Sequence, residues 1–61
     1  MDLYTIQDMM EIFHCGKNYA YRLTKLPGFP VLQIGRKIYI PKKGLEKWIE
    51  ENMGTVITLE H

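Results

Sequence analysis

The run Phe13-His14-Cys15-Gly16-Lys17-Asn18-Tyr19-Ala20-Tyr21-Arg22-Leu23-Thr24-Lys25-Leu26 breaks one helical pattern and begins another. Upstream of it, Ile6, Met9, Met10 and Phe13 recur at i, i+3, i+4 and i+7. That is one apolar stripe of a helix reaching about His14. Thr5 can cap this helix, with Asp8 three residues later as a short-armed capping box, and Tyr4 and Met9 have the spacing of a hydrophobic staple. His14-Cys15-Gly16 interrupts the stripe, and a second short helix is predicted over residues 17–26. Gly16 is a weaker cap for it, having no side-chain acceptor. Two helices joined by a three-residue turn that contains glycine form a helix-turn-helix arrangement.

Downstream, Leu26-Pro27-Gly28-Phe29-Pro30 cannot continue a helix and imposes a loop. Residues 31–34 and 38–40 then read as strands flanking Gly35-Arg36-Lys37. A three-residue loop sets Ile34 against Ile38, Gln33 against Tyr39 and Leu32 against Ile40, which gathers four aliphatic side chains on one face. A two-residue Gly-Arg turn would mix the faces, so the longer loop is the expectation. In either case Arg36 and Lys37 stand at the hairpin tip. Pro41 stops the strand and suits the start of a third helix, whose inward face is Leu45, Trp48, Ile49 and Asn52, with Gly54 as its expected cap. Residues 1–54 form the expected domain and 55–58 a flexible tail. Residues 59–61, Leu-Glu-His, resemble the remnant of an affinity tag.

Sixty-one residues allow one domain and one small core. A chain of this size buries only about 60% of the surface its unfolded form exposes, which leaves no room for a nucleotide fold, a barrel or a two-lobed cleft. No apolar run approaches the roughly 18 residues of a membrane span, and the acidic start Met1-Asp2 does not read as a signal peptide. The single cysteine cannot staple the fold, so a reducing cytoplasm is the expected compartment. The net charge of +1 conceals a segregation. Residues 1–11 carry Asp2, Asp8 and Glu11 and no Lys or Arg. Residues 12–45 carry seven Lys and Arg and no Asp or Glu, and Glu dominates from residue 46 onward. A basic block between acidic ends suits a polyanionic partner, although a merely solvated, lysine-rich middle has the same composition.

On a helical wheel the second helix turns Gly16, Ala20, Leu23 and Thr24 inward. Its outward arc holds Asn18, Tyr21, Arg22 and Lys25, with Lys17 and Tyr19 at the borders, and no carboxylate. Arginine can bind guanine bidentately, asparagine can bind adenine, and lysine or tyrosine can reach backbone oxygens. An ordinary wet helix face usually mixes both signs of charge, and this one does not. The basic hairpin tip could reach a minor groove, or could simply protect a strand edge with charge. Lys42 and Lys43 read equally as phosphate contacts and as solvated helix-start lysines. His14-Cys15 is the one neighbouring pair of metal-ligand types, too few for a zinc site, and Cys15 reads as a small apolar filler. No phosphate loop, catalytic carboxylate pair or Ser/His/Asp set is present in the sequence. No enzymatic activity, metal or other cofactor is therefore expected.

Residues 4–13, then Tyr21-Arg22-Leu23, Pro27-Gly28-Phe29-Pro30-Val31, Ile34-Gly35-Arg36-Lys37, Ile40-Pro41 and Leu45 with Trp48, together resemble the excisionase-like, winged helix-turn-helix proteins related to the MerR DNA-binding domain. The resemblance runs from residue 3 to about 51. It implies an α+β, mainly α fold: three short helices with a two-stranded β-hairpin wing. It implies that the second helix enters a major groove of double-stranded DNA while the wing touches the neighbouring minor groove. Carried onto this chain, it selects Lys17, Asn18, Tyr21 and Arg22 from the helix and Arg36 and Lys37 from the wing; the wheel adds Lys25. Two departures stand out. His14 occupies the position of the family's usual turn glycine, and Gly16 that of its usual Ser or Thr cap. The role implied is an excisionase, a recombination directionality factor of a prokaryotic mobile element. Such a factor is a monomer in solution, binds as adjacent copies on DNA in the cytoplasm or nucleoid, and works with an integrase or recombinase. Two alternatives remain open from the residues: a small transcriptional regulator using the same interface, and a protein-interaction module that uses Tyr19, Tyr21 and the hairpin edge.

Overall fold

The computed structural model describes residues 2–59. Met1 and the Glu60-His61 end of the expected tag remnant lie outside the described residues. The elements follow the order β1 (Leu3–Tyr4), α1 (Ile6–Phe13), α2 (Lys17–Thr24), β2 (Leu32–Ile34), β3 (Lys37–Pro41) and α3 (Lys42–Glu51). The capping box that opens α1 is complete: Asp8 N–H donates to Thr5 Oγ1 (3.2 Å) and Thr5 N–H donates to Asp8 Oδ2 (2.9 Å). The helix ends at His14, whose φ of 51° and ψ of 48° place a side chain with a Cβ in the left-handed region. That conformation turns the chain sharply enough for α2 to start at Lys17, and it is the one a glycine would adopt without strain. Helix α2 ends at Thr24, two residues earlier than the sequence pattern suggests, because Leu26 N–H already bonds Leu23 O in the tighter closing turn.

The sheet has three antiparallel strands in the order β1-β3-β2. The hairpin wing is therefore extended by a short strand that the sequence pattern does not disclose, since two residues are too few to show alternation. Tyr4 pairs with Ile40 and Leu3 with Pro41.

The hairpin register differs from the expectation. Leu32 pairs with Tyr39, Gln33 with Ile38 and Ile34 with Lys37, so the loop is the two-residue Gly35-Arg36 turn. Gly35 has φ +60° and Arg36 is not in the positive-φ region, the sign pattern of a type II′ turn with glycine first. A three-residue loop would need its left-handed residue last, where Lys37 stands. Gln33 Nε2 also donates to Gly35 O (3.1 Å) across the turn. The consequence is a reversal for half of the anticipated apolar face. Ile38 and Ile40 turn to the core, whereas Leu32 and Ile34 share the outer face with Tyr39 and Lys37 and are exposed.

Met9, Ala20, Leu23, Phe29, Ile40 and Leu45 form the buried core, with Trp48, Ile49, Tyr4 and Ile38 packed around it. Met9 and Ile40 are completely buried, each worth about 1.5–3 kcal/mol by burial. Thr24 is the one buried polar side chain among the described residues, and its hydroxyl donates to Tyr21 O. The loop after α2 closes with Phe29 N–H to Leu26 O (3.1 Å) and presents the Phe29 ring edge-on to Trp48, 4.8 Å between centroids. Gly44 lets α3 approach this loop: a Cβ there would stand 2.9 Å from Pro30 Cβ. Asn52, rather than Gly54, caps α3, with its side-chain Nδ2 donating to Trp48 O (2.8 Å); Gly54 lies in the turn beyond, at φ +83°. Residues 55–59 form no helix or strand, and Leu59 packs against the core.

Two substitutions at opposite kinds of backbone position check this account by thermal melting. His14→Gly relieves the left-handed strain and is expected to raise stability by about 0.5–1 kcal/mol, a melting-temperature gain of roughly 2–8 °C. Gly44→Ala, although a better helix former, drives a methyl into the Pro30 ring and is expected to lower stability by about 1 kcal/mol.

Candidate nucleic-acid interface

Helix α2 is laid on the core through Ala20, Leu23 and Thr24, which turns its opposite side to solvent. Lys17, Asn18, Tyr19, Tyr21 and Lys25 are all exposed and Arg22 is half-buried. Gly16 does not join the inward side. It precedes the helix as its N-cap (φ −78°, ψ 171°), is exposed, and supplies no side-chain hydrogen bond. The outward arc is organised by one contact within it. The Arg22 guanidinium carbon lies 5.4 Å from the Tyr19 ring centroid, a cation–π arrangement that restrains a long side chain against the helix surface. Tyr19 thus supports Arg22 while remaining exposed.

Arg36 and Lys37 stand at the exposed end of the wing. The fold brings this end and α2 to one groove. Its polar lining is Thr5, Gln7, Tyr21, Arg36, Lys37 and Tyr39, with no carboxylate. Arg22 and Lys25 border a second depression, beside Leu26, Pro27 and residues 58 and 59. Tyr21 is therefore the α2 residue that meets the wing, and Arg22 lies on the next strip of the same helix. Of the two helix-start lysines, Lys42 has its Nζ 5.1 Å above the Tyr4 ring, whereas Lys43 is exposed.

Nothing in their spacing marks Gln7 and Tyr39 as groove residues, and the spacing of Thr5 to Asp8 marks it only as a helix cap. They come to the groove because the Tyr4–Ile40 pairing sets the start of α1 alongside β3. The β1 strand is the missing signal, and it is too short to be read from residue type.

A family model described as a helix-turn-helix domain matches residues 3–53, which takes in every element from β1 to α3. The chain belongs to this family of excisionase-like DNA-binding domains. No curated protein and no solved structure matches it. Membership supports DNA as the partner of this helix-turn-helix domain. Among the described residues, no helix is long and apolar enough to cross a membrane.

The shape of the wing hangs on its turn. Gly35→Ala places a Cβ at φ +60° and is expected to cost at least about 1 kcal/mol, read as a lower melting temperature.

Proposed function

We propose that this domain binds double-stranded DNA, with α2 in a major groove and the wing at the neighbouring minor groove, as an excisionase-type factor of a prokaryotic mobile element. The observation that carries the reading is the shared groove. Tyr21 from α2 and Arg36 and Lys37 from the wing line one carboxylate-free surface, although they come from separate stretches of the chain. A duplex fits such a surface because cations exchange with its condensed counterions while the helix presents side chains to base edges. In this reading Asn18 and Arg22 read bases. Lys17, Tyr21 and Lys25 hold phosphates beside them, and Arg36 and Lys37 anchor the wing. One small domain gives modest affinity, so adjacent copies or a recombinase partner supply strong occupancy. A transcriptional role would use the same interface, and an adjacent recombinase gene would favour excision.

The competing reading, a protein-interaction module, draws on the exposed Leu32 and Ile34 of the outer hairpin face. Gel shifts of random duplexes over a range of salt separate the two. Binding that collapses with added salt supports the DNA reading, and no binding at low salt supports the other. Arg22→Ala is expected to relax base preference, costing about 1–3 kcal/mol of discrimination at one position. Lys37→Ala is expected to weaken all duplexes alike and to flatten the log–log salt dependence by about 0.9. Negligible effects from both would remove the assigned face.

A further inference from the structure

On a double helix, a single sugar-phosphate strand separates a major groove from the minor groove beside it. If α2 occupies the first and the wing the second, that strand crosses the protein surface between them. We propose that the groove bounded by the start of α1, Tyr21 and the wing seats this strand, and that Gln7 is a phosphate-contacting residue within it. The inference rests on the duplex reading above and assigns it a third element, α1.

The lining supports this path. Arg36 and Lys37 supply charge, and Tyr21 supplies a phenol. Thr5 is already committed, since its Oγ1 accepts from Asp8 N–H and donates to Asp8 Oδ2, each at 3.2 Å. Asp8, the one carboxylate in the first turn of α1, is outside the lining, and its Oδ2 is held by Thr5. Gln7 is different. Its side chain is exposed at the groove and, among the described residues, makes no hydrogen bond within the protein. Its amide nitrogen is a donor without a competing partner, of the kind that commonly meets phosphate oxygens.

The test is fluorescence anisotropy of a labelled pool of short random-sequence duplexes, titrated with the full chain over a range of salt. Gln7→Lys is expected to tighten binding about 3- to 10-fold at low salt and to steepen the log–log salt slope by about 0.9, the signature of one added phosphate contact. Gln7→Glu is expected to weaken binding by a similar factor. A carboxylate in the first turn of a helix favours the helix, so this loss cannot come from unfolding, and an unchanged or higher melting temperature verifies it. Met53→Lys adds the same charge at an exposed position outside the groove and is expected to leave the slope unchanged. The proposal is overturned if the parent chain binds duplex but Gln7→Lys leaves the slope unaltered, or alters it no more than Met53→Lys does. The duplex reading survives that result. Absence of binding by the parent chain at low salt removes both.

Discussion

Ile40, next to last in β3, has no exposed surface, and β3 is the central strand, paired with both β1 and β2. Its side chain belongs to the same cluster as Met9 of α1, Ala20 and Leu23 of α2, and Leu45 of α3. The wing is a two-stranded ribbon that would be marginal by itself in water. Burying Ile40 among the helices makes it part of the domain and sets the direction in which Gly35, Arg36 and Lys37 project. The same strand holds Tyr4 through backbone pairing, which fixes the start of α1 beside the wing. One buried aliphatic residue thus couples the three pieces of the groove: the turn, the exposed side of α2 and the first turn of α1.

With so small a core, individual backbone compromises carry weight. His14 holds a left-handed conformation that costs about 1–2 kcal/mol for a residue with a Cβ. A domain of this length has few kilocalories to spare. The strain falls in the turn between α1 and α2, the joint that orients the outward side of α2. The packing of Ala20, Leu23 and Thr24 holds α2 in place despite it. The absence of a side-chain cap at Gly16 acts on the same joint. The contact between α3 and the loop after α2 is tighter. There Gly44, Pro30, Phe29 and Trp48 bring loop and helix into close contact.

Local signals in the chain were strong enough to define three helices and a hairpin. The Thr5–Asp8 box, the Ile6-Met9-Met10-Phe13 stripe and the proline-glycine loop each act within a few residues, so neighbours alone settle them. The outward arc of α2 was legible for the same reason: Ala20, Leu23 and Thr24 share one side by helical period, and their burial exposes the rest. That His14 occupies a glycine position in the turn came only through the family resemblance, and its positive φ agrees.

The hairpin register was not legible from apolar pattern, because gathering Leu32, Ile34, Ile38 and Ile40 on one face maximises hydrophobic alignment but ignores turn geometry. A glycine in first place closes a two-residue turn, and the small core takes only Ile38 and Ile40. The pairing of Tyr4 with Ile40 joins residues from opposite parts of the chain, and neither flank announces it. Helix identity, capping and the segregation of charge were therefore properties of the amino-acid order, since each depends on short-range chemistry. The facing of the wing, and the meeting of Gln7, Tyr21, Arg36 and Lys37 at one groove, arose only from how β3 packs against the helices.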